Sequence, residues 1–493
     1  MFRKATPEEV GLPSSEVSRF INYLNDNSHA THSLLLIRDD KIFTEAYWKP
    51  FDKDFCHRQY SQTKSFVGIA IGILLSEGKL SLDDKIIDYF PEKVDNPDEV
   101  PERLKNQTVR NMLTMTTVGE DRWWFGESDP DRTHIYFNNR KKANLPGALW
   151  EYDSPGSQVL SSLIEKLSGM KLFDFLSDRL FSHMGTFKTA KILSTPNGDS
   201  WGDSAMICTA RDMASFAKLL MDGGRFEGRQ LVDEAYVKEA TSRIVDNYEE
   251  KEARVFGHGY GYQIWQAPRG GFAFVGMGGQ LTVTIPKKRL IFVINSDNQG
   301  SPMGYELIVN GFLSFIADRI LDEPLPFNES ELKKLNSLID SLELFALKGI
   351  EKSAFMQSIV GNTYVCEPNA LGMKKFSFVF EDDHGEFRYT NKQGDKVIPF
   401  GINKNVFGLF PELGYSDEVG REITTNGHMY HDAVSLRFTE EKKVQMKVQI
   451  IDKYFGNFLA TFAFVGDEVS CKFTSTAENF LREYNGRFEA HKE

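Results

Sequence analysis

The sequence "YSQTKSFVGIAIGILLSEG", residues 60–78, places a serine and a lysine three positions apart at the start of an apolar run. The run ends at Glu77-Gly78, and its length and composition predict a helix buried on most faces. If the helix begins near Ser61, then Ser61 and Lys64 lie on one face as hydrogen-bond neighbours. The pair is then either a nucleophile with its base or an ordinary polar helix start. Two fixed residues in four do not separate these interpretations.

The segments around this helix predict an antiparallel sheet covered by helices. "HSLLLIRDDKIFTEAYW", residues 32–48, has two apolar stretches about a turn and predicts a β-hairpin. Apolar residues at three- and four-residue spacing predict helices within residues 108–117, 157–185 and 209–224. Strand composition returns in residues 260–266, 271–286 and 290–297. A helical block between an early hairpin and late strands predicts an α+β fold with a helical subdomain.

The last third of the chain has a different character. Prolines and acids in "LDEPLPFNES", residues 321–330, predict a linker, and the following segment predicts a helix. Beyond it, short alternating or apolar segments predict consecutive antiparallel strands. We therefore predict a first domain at 1–325, a linker and helix at 326–354, and an all-β domain at 355–493.

Composition limits the partners. The 493 residues carry a formal net charge of -12, which disfavours a phosphate-tracking surface, so we expect no nucleic-acid partner. The first residues lack the apolar core of a signal peptide and no stretch is long enough to span a membrane, so we expect a cytoplasmic protein. The four cysteines form no CxxC pair, and we expect neither a metal nor any other cofactor. The oligomeric state is left open.

Two later segments accompany the serine and lysine. "EYDSPGSQVLSSLIEKLSG" offers Tyr152 and Ser154 just before an apolar helix, and "VGMGGQLTVTIP" has glycines leading into a strand. In order and spacing, Ser61-Gln62-Thr63-Lys64, Tyr152-Asp153-Ser154 and Met277-Gly278-Gly279 resemble the motifs of the serine β-lactamase and penicillin-binding protein superfamily. The likeness covers roughly residues 5–320. It is nearest to class C β-lactamases, family VIII esterases and 6-aminohexanoate-oligomer hydrolases.

The resemblance implies acyl transfer through a covalent intermediate. Ser61 would attack a carbonyl carbon, Lys64 and Tyr152 would share its proton, and water would later release the acyl group. Tyr152 would act as a base only as phenolate, a form that a charged Lys64 favours. The backbone N–H groups of Ser61 and Gln280 would hold the oxyanion. Ser154 would orient Lys64 or the substrate.

One departure from the motif limits the class of substrates that the site could bind. Met277 stands where β-lactamases of this type usually carry a lysine, and a thioether cannot pair with the carboxylate of a penicillin. Gly278 and Gly279 complete that triad, although they could also mark only a strand bulge. Aromatic residues elsewhere suggest an apolar cleft for an ester or amide with an uncharged end, although such residues are more often core. They are Trp123, Trp124, Phe125, Tyr260 and Trp265.

Alternative interpretations remain. His57 is a poor candidate for the base because no GxSxG elbow surrounds Ser61, and His258 either borders the cleft or holds a loop. The chain could be a hydrolase of small esters or amides, a D-amino-acid peptidase or β-lactamase, or an inactive binding protein. The presence of every motif residue argues against the last of these.

Overall fold

The structure is a computed structural model and divides into two compact units. It describes residues 2–119, 128–138, 144–248, 254–301, 304–350, 354–413, 429–440, 442–477, 481 and 484–493. Among the described residues, unit 1 runs to Glu343 and unit 2 begins at Leu344. The domain boundaries drawn from the sequence stay a prediction.

Unit 1 is built on a seven-stranded sheet with the order β1-β3-β2-β12-β11-β10-β9. Its pairs are antiparallel except for β1 with β3. Two further small sheets are β4-β6-β5 and β7-β8. The strands are β1 (Arg3–Lys4), β2 (Thr31–Arg38), β3 (Lys41–Tyr47), β4 (His57–Arg58), β5 (Lys191–Ile192), β6 (Met206–Cys208), β7 (Arg225–Phe226), β8 (Arg229–Gln230), β9 (Trp265–Ala267), β10 (Gly271–Gly276), β11 (Gln280–Ile285) and β12 (Leu290–Ser296).

Helices cover both faces of this sheet. The helices of unit 1, including those of the helical subdomain, are α1 (Ser14–Asp26), α2 (Thr63–Ser76), α3 (Glu102–Lys105), α4 (Val109–Thr114), α5 (Arg132–Asn138), α6 (Ser154–Ser168), α7 (Leu172–Leu176), α8 (Ser182–Met184), α9 (Ala210–Met221), α10 (Glu234–Ala240), α11 (Gly304–Gly311) and α12 (Glu329–Asp340). Within the described residues, no helix is both long enough and apolar enough to cross a membrane.

The hairpin β2–β3 shows why the sheet is buried on both sides. Successive side chains of a strand point to opposite faces, and Leu34 and Leu36 join the core beneath α1 while Leu35 and Ile37 join the core around α2. All four are fully buried. The α+β fold with a helical subdomain, predicted from the sequence, is confirmed.

Helix α2 is central to unit 1. It is buried continuously from Thr63 to Leu74, as its apolar run predicts, and it contacts α6, α7 and α10. The helix starts later than predicted, because Tyr60–Gln62 form a 3₁₀ turn ahead of it. In such a turn the side chains at i and i+3 nearly eclipse one another, so the predicted proximity of Ser61 and Lys64 survives the change.

Unit 2 is the predicted C-terminal all-β domain. Its ten strands follow the order β16-β15-β14-β13-β22-β21-β20-β19-β18-β17, and a parallel pairing of β16 with β18 closes the sheet on itself. Its elements are α13 (Met356–Ile359), β13 (Thr363–Cys366), β14 (Lys375–Phe380), β15 (His384–Asn391), β16 (Gly394–Ile402), β17 (Val406–Leu413), β18 (Met429–Glu440), β19 (Lys443–Ile451), β20 (Phe455–Val465), β21 (Glu468–Ala477) and β22 (Gly486–Lys492).

Candidate active site

Ser61 and Lys64 meet at the start of α2. Lys64 Nζ lies 3.1 Å from Ser61 Oγ and donates a hydrogen bond to it. The lysine side chain is only 2% exposed, whereas Ser61 is partly exposed. Tyr60, directly before the serine, has a φ of 48°, in the left-handed region that side chains with a Cβ rarely adopt. The hydroxyl is therefore presented to solvent on a strained turn, with an amine beneath it.

Asp203 completes the surroundings of the lysine. Its backbone carbonyl accepts a hydrogen bond from Lys64 Nζ at 2.7 Å, and its carboxylate Oδ2 lies 3.8 Å from the same nitrogen. The pairing of β4 with β6 brings this loop to the serine turn, and Met206 N–H donates to Thr63 Oγ1 at 2.9 Å. Asp203 was not among the residues predicted from the sequence.

Tyr152 lies beside Lys64. The ammonium is 5.1 Å from the centre of the phenol ring. Asp153 fixes this segment as the N-cap of α6, because its carboxylate accepts hydrogen bonds from Gly156 N–H at 2.8 Å and from Thr117 Oγ1 at 2.7 Å. The structure thus brings together the three residues whose catalytic roles were predicted, although they come from two separate parts of the chain.

The glycine triad forms the tight turn between β10 and β11. Gly278 and Gly279 have φ values of 80° and 90°, which favour glycine. The Gly278 carbonyl accepts hydrogen bonds from Ser296 Oγ and Asn298 N–H. Gln280 is fully buried, and its side chain binds the Met277 and Ser296 backbones. The oxyanion role predicted for the backbone N–H of Gln280 does not involve this side chain, and it stays a prediction.

An aromatic cluster adjoins Tyr152. Its ring stacks on Trp265 at 5.6 Å and lies 6.3 Å from Trp150, which in turn lies 5.5 Å from Tyr260. Burial raises the pKa of Tyr260 well above its ordinary value, with a smaller effect from Tyr152, so this phenol stays neutral. Of the aromatic residues predicted near the cleft, Tyr260 and Trp265 belong to the cluster. Trp123, Trp124 and Phe125 lie outside the described residues.

Other predicted residues lie at the edges of this arrangement. Ser154 is the buried first residue of α6, and no hydrogen bond joins it to Lys64 within the described ranges. His258 is exposed in the loop before β9, and Met277 is partly exposed at its turn. The proposed contacts of these three residues with substrate stay predictions.

Both ring nitrogens of His57 form structural hydrogen bonds. Its Nδ1 lies 2.9 Å from the Arg58 carbonyl oxygen and its Nε2 lies 2.9 Å from Nδ1 of His32. A carbonyl can only accept, so Nδ1 carries the proton. Burial lowers the pKa of His57 to about 3. Both ring nitrogens are therefore engaged away from Ser61, as expected from the sequence.

Buried Arg58 contacts the two segments that carry Ser61 and Asp203. The Arg58 guanidinium lies 4.3 Å from the centre of the Tyr60 ring and 4.6 Å from that of Trp201. Its Nε also donates to the Ser204 carbonyl at 3.2 Å. Arg58 thus joins the strained turn before Ser61 to the loop that carries Asp203. The described residues contain no group of three or more His, Cys, Asp or Glu side chains placed to hold a metal ion.

Comparisons with known proteins identify the family of the chain. The family model described as Beta-lactamase matches residues 18–308. A "6-aminohexanoate-dimer hydrolase" of Paenarthrobacter ureafaciens is 24% identical over 223 residues, which are 42% of this chain and 56% of that relative. The match thus spans less than two thirds of the hydrolase.

Two further proteins extend the comparison. A "Putative D-alanyl-D-alanine carboxypeptidase" of Escherichia coli (strain K12) is 21% identical over 389 residues, covering 61% of this chain and 86% of that one. The solved structure of a "Putative 6-aminohexanoate-dimer hydrolase" from Bacillus anthracis has a TM-score of 0.52 and 19% identity. It covers 64% of this chain and 86% of its own, and it shows the shared fold.

Proposed function

Because the chain belongs to the beta-lactamase family, we propose that it is a serine hydrolase that cleaves small esters or amides through an acyl-enzyme on Ser61. The observation that supports this most directly is the hydrogen bond of 3.1 Å from Lys64 Nζ to Ser61 Oγ. A lysine amine beside a partly exposed serine hydroxyl provides the nucleophile and part of its proton-transfer machinery.

The reaction proceeds in two halves. Ser61 Oγ loses its proton to the Lys64–Tyr152 pair and forms a bond to the substrate carbonyl carbon, while the backbone N–H groups of Ser61 and Gln280 hold the oxyanion. The leaving alcohol or amine departs with that proton as its bond to carbon breaks. Water then attacks the acyl carbon, gives a proton to the same pair, and the acid leaves as Ser61 Oγ is protonated again.

The lining of the site supports an uncharged, apolar substrate. Met277 offers no charge to a substrate carboxylate at the glycine turn. The partly exposed ring of Tyr152 packs on the buried rings of Trp150 and Trp265, so the cluster offers substrate one aromatic ring. We therefore expect short acyl or aryl esters to react faster than carboxylated β-lactams.

A D-amino-acid peptidase is the second candidate. The relative from Escherichia coli is named for that activity, and the same acyl-enzyme chemistry would serve it. Its expected substrate, however, ends in a carboxylate, which Met277 cannot pair. An inactive binding protein is the third candidate.

Trapping the acyl-enzyme tests the proposal. Incubation with a p-nitrophenyl ester is expected to add the acyl mass to Ser61, located by peptide mapping, and turnover should release p-nitrophenol. The Ser61→Ala variant should do neither. Lys64→Ala and Tyr152→Phe are expected to lower kcat by about 10²–10⁴-fold.

Ser76→Ala is the matched control, because this serine ends the same helix and its hydroxyl donates to the Gly72 carbonyl. It should turn over like the wild type. Absence of both adduct and turnover with esters, D-alanyl peptides and nitrocefin would leave the binding protein as the better interpretation. Wild-type rates in Tyr152→Phe would remove this residue from the proton-transfer pair.

A further inference from the structure

We propose that Gln263 is a positioning residue that fixes the spacing between Lys64 and Tyr152. This inference rests on the proposed function and assigns a role to a residue that lies outside its three motifs. Gln263 lies in the turn before β9. Within the described part of the chain, its hydrogen bonds go to helices α2, α4 and α6 and not to the reacting groups. Gln263 therefore acts through the segments that carry those groups.

Every polar group of Gln263 has a partner on one of these helices. Its carbonyl oxygen accepts a hydrogen bond of 2.9 Å from Ser65 Oγ on α2, and its Oε1 accepts one of 2.6 Å from Ser157 Oγ on α6. Its Nε2 donates to the carbonyl oxygens of Met112 and Leu113 on α4 at 2.9 and 3.2 Å. Its backbone N–H donates to the Leu113 carbonyl at 2.9 Å. One residue that is only 1% exposed thus joins three helices.

The contact with α2 fixes the position of Lys64. Ser65 directly follows Lys64, so its hydrogen bond to Gln263 holds the first turn of the helix. A Cβ built on Gly68, one turn later, would lie 2.6 Å from the Tyr262 carbonyl oxygen and 3.1 Å from Gln263 Cβ. Glycine at this position lets the helix approach the turn closely. The turn that carries Gln263 therefore sets where the start of α2 lies.

Two routes lead from Gln263 to Tyr152. The first is Ser157, in the first turn of the helix that Tyr152 precedes. Its hydroxyl has a second acceptor, the carbonyl of the α6 N-cap residue, at the longer distance of 3.2 Å. The second route is α4, because the carbonyl of Met115, one residue beyond that helix, accepts a hydrogen bond of 3.0 Å from the N–H of Glu151. Glu151 directly precedes Tyr152, so both routes fix the same segment.

The backbone of Gln263 is strained. Its φ is 58°, in the left-handed region that glycine adopts at little cost. The turn is closed by a hydrogen bond of 2.8 Å from Gly261 N–H to the Ile264 carbonyl, and Trp265, which follows, stacks on the Tyr152 ring. Strained residues persist where many contacts determine their conformation, and they are concentrated at functional sites. Glycine would relieve the strain but would lack the amide that binds α4 and α6.

The first test compares the effect of Gln263→Ala in two backgrounds, using the p-nitrophenyl ester. In the wild type, loss of the amide should lower kcat/KM by about 100-fold, the cost of displacing a catalytic group by about 1 Å. In Tyr152→Phe, the same change should cost no more than about twofold, because residues that act as a unit have non-additive effects. A residue with a merely structural role would reduce the folded fraction and lower both rates by the same factor.

Gln266→Ala is the matched control for this comparison. Its Nε2 also donates to two carbonyl oxygens, those of Thr241 and Ser242 at 3.0 Å, but these follow α10. The variant should keep the parent rate in both backgrounds. Ser157→Ala is a milder change that breaks only the bond to α6, and it should cost about 3–10-fold in the wild type alone. If Gln263→Ala does not fold, Ser157→Ala takes its place in both tests.

The second test measures the spacing without any activity. Lys64 Nζ lies 5.1 Å from the centre of the Tyr152 ring, and crystal structures of Gln263→Ala should show this distance changed by about 1 Å, whereas Gln266→Ala should keep it. An unchanged distance, or equal rate losses in the two backgrounds, would overturn the role of Gln263. Absence of an acyl adduct on wild-type Ser61 would instead refute the proposed function, and the crystallographic distance would then decide this inference alone.

Discussion

Replacing Gly276 by alanine places a methyl group where the backbone of another segment already lies. Gly276 ends β10, and a Cβ built on it would sit 2.3 Å from the Gln59 carbonyl oxygen, two residues before the nucleophile. Ordinary contacts begin at 3.4 Å. The opposing atom belongs to a backbone, so no rotamer change can relieve the overlap.

The size of the effect follows from that overlap. The two segments must separate by about 1 Å, and a displacement of that size at a catalytic group costs about 100-fold in rate. Overpacking of a close contact costs ~1–3 kcal/mol of stability, which a protein of this size can absorb. We therefore expect Gly276→Ala to fold, to unfold at a lower temperature, and to acylate Ser61 about 100 times more slowly.

The assay combines ester turnover, acyl-adduct formation and thermal unfolding. Gly304→Ala is the matched control, because its added methyl group would meet other atoms only at 3.6–3.7 Å, and it should behave like the wild type. A Gly276→Ala enzyme with a wild-type acylation rate would refute the reasoning, since the serine turn would then not depend on its contact with β10.

Two further predictions concern stability and pH. Burial raises the pKa of the Asp432 carboxyl in β18 to about 7. The folded state therefore retains a proton that the unfolded state loses above about pH 4. The free energy of unfolding consequently falls as pH rises from about 4 to about 7. Urea unfolding should therefore show Asp432→Asn more stable than the wild type at pH 8 and similar to it at pH 4. Burial alone would lower the pKa of His134, but Asp95 and Asp129 outweigh burial and raise it, so its stabilisation is present below about pH 6.5 and lost as pH rises through the folded value. His134→Gln should be less stable than the wild type at pH 5.5 and nearly equal at pH 9; a constant difference would contradict this linkage.

Local patterns were sufficient for much of unit 1. The hairpin β2–β3, helix α2 and strands β10 to β12 follow from apolar spacing and turn residues, because each forms contacts close in sequence. The proximity of Ser61 and Lys64 likewise follows from a three-residue spacing. Tyr152 required the family resemblance, since nothing in its own segment indicates what it faces.

Contacts between residues distant in sequence could not be predicted from the sequence. Asp203 reaches Lys64 because β4 and β6 pair over only two residues each, a length too short to leave a periodic pattern. The closure of unit 2 depends on a parallel pairing of Gly401 with Ser435 and of Ile402 with Leu436, which composition does not reveal. The 3₁₀ start of α2 is also tertiary in origin, because Tyr60 is held at positive φ by its buried surroundings.

The buried guanidinium of Arg58 has a consequence for how activity is lost. One side chain supports both the turn that presents Ser61 and the loop that surrounds Lys64, so a fluctuation that frees it disorders both the Ser61 hydroxyl and the Asp203 loop that contacts Lys64. Partial heating should accordingly yield a mixture of fully active and fully inactive molecules. It should not yield a population in which every molecule has the same reduced catalytic rate.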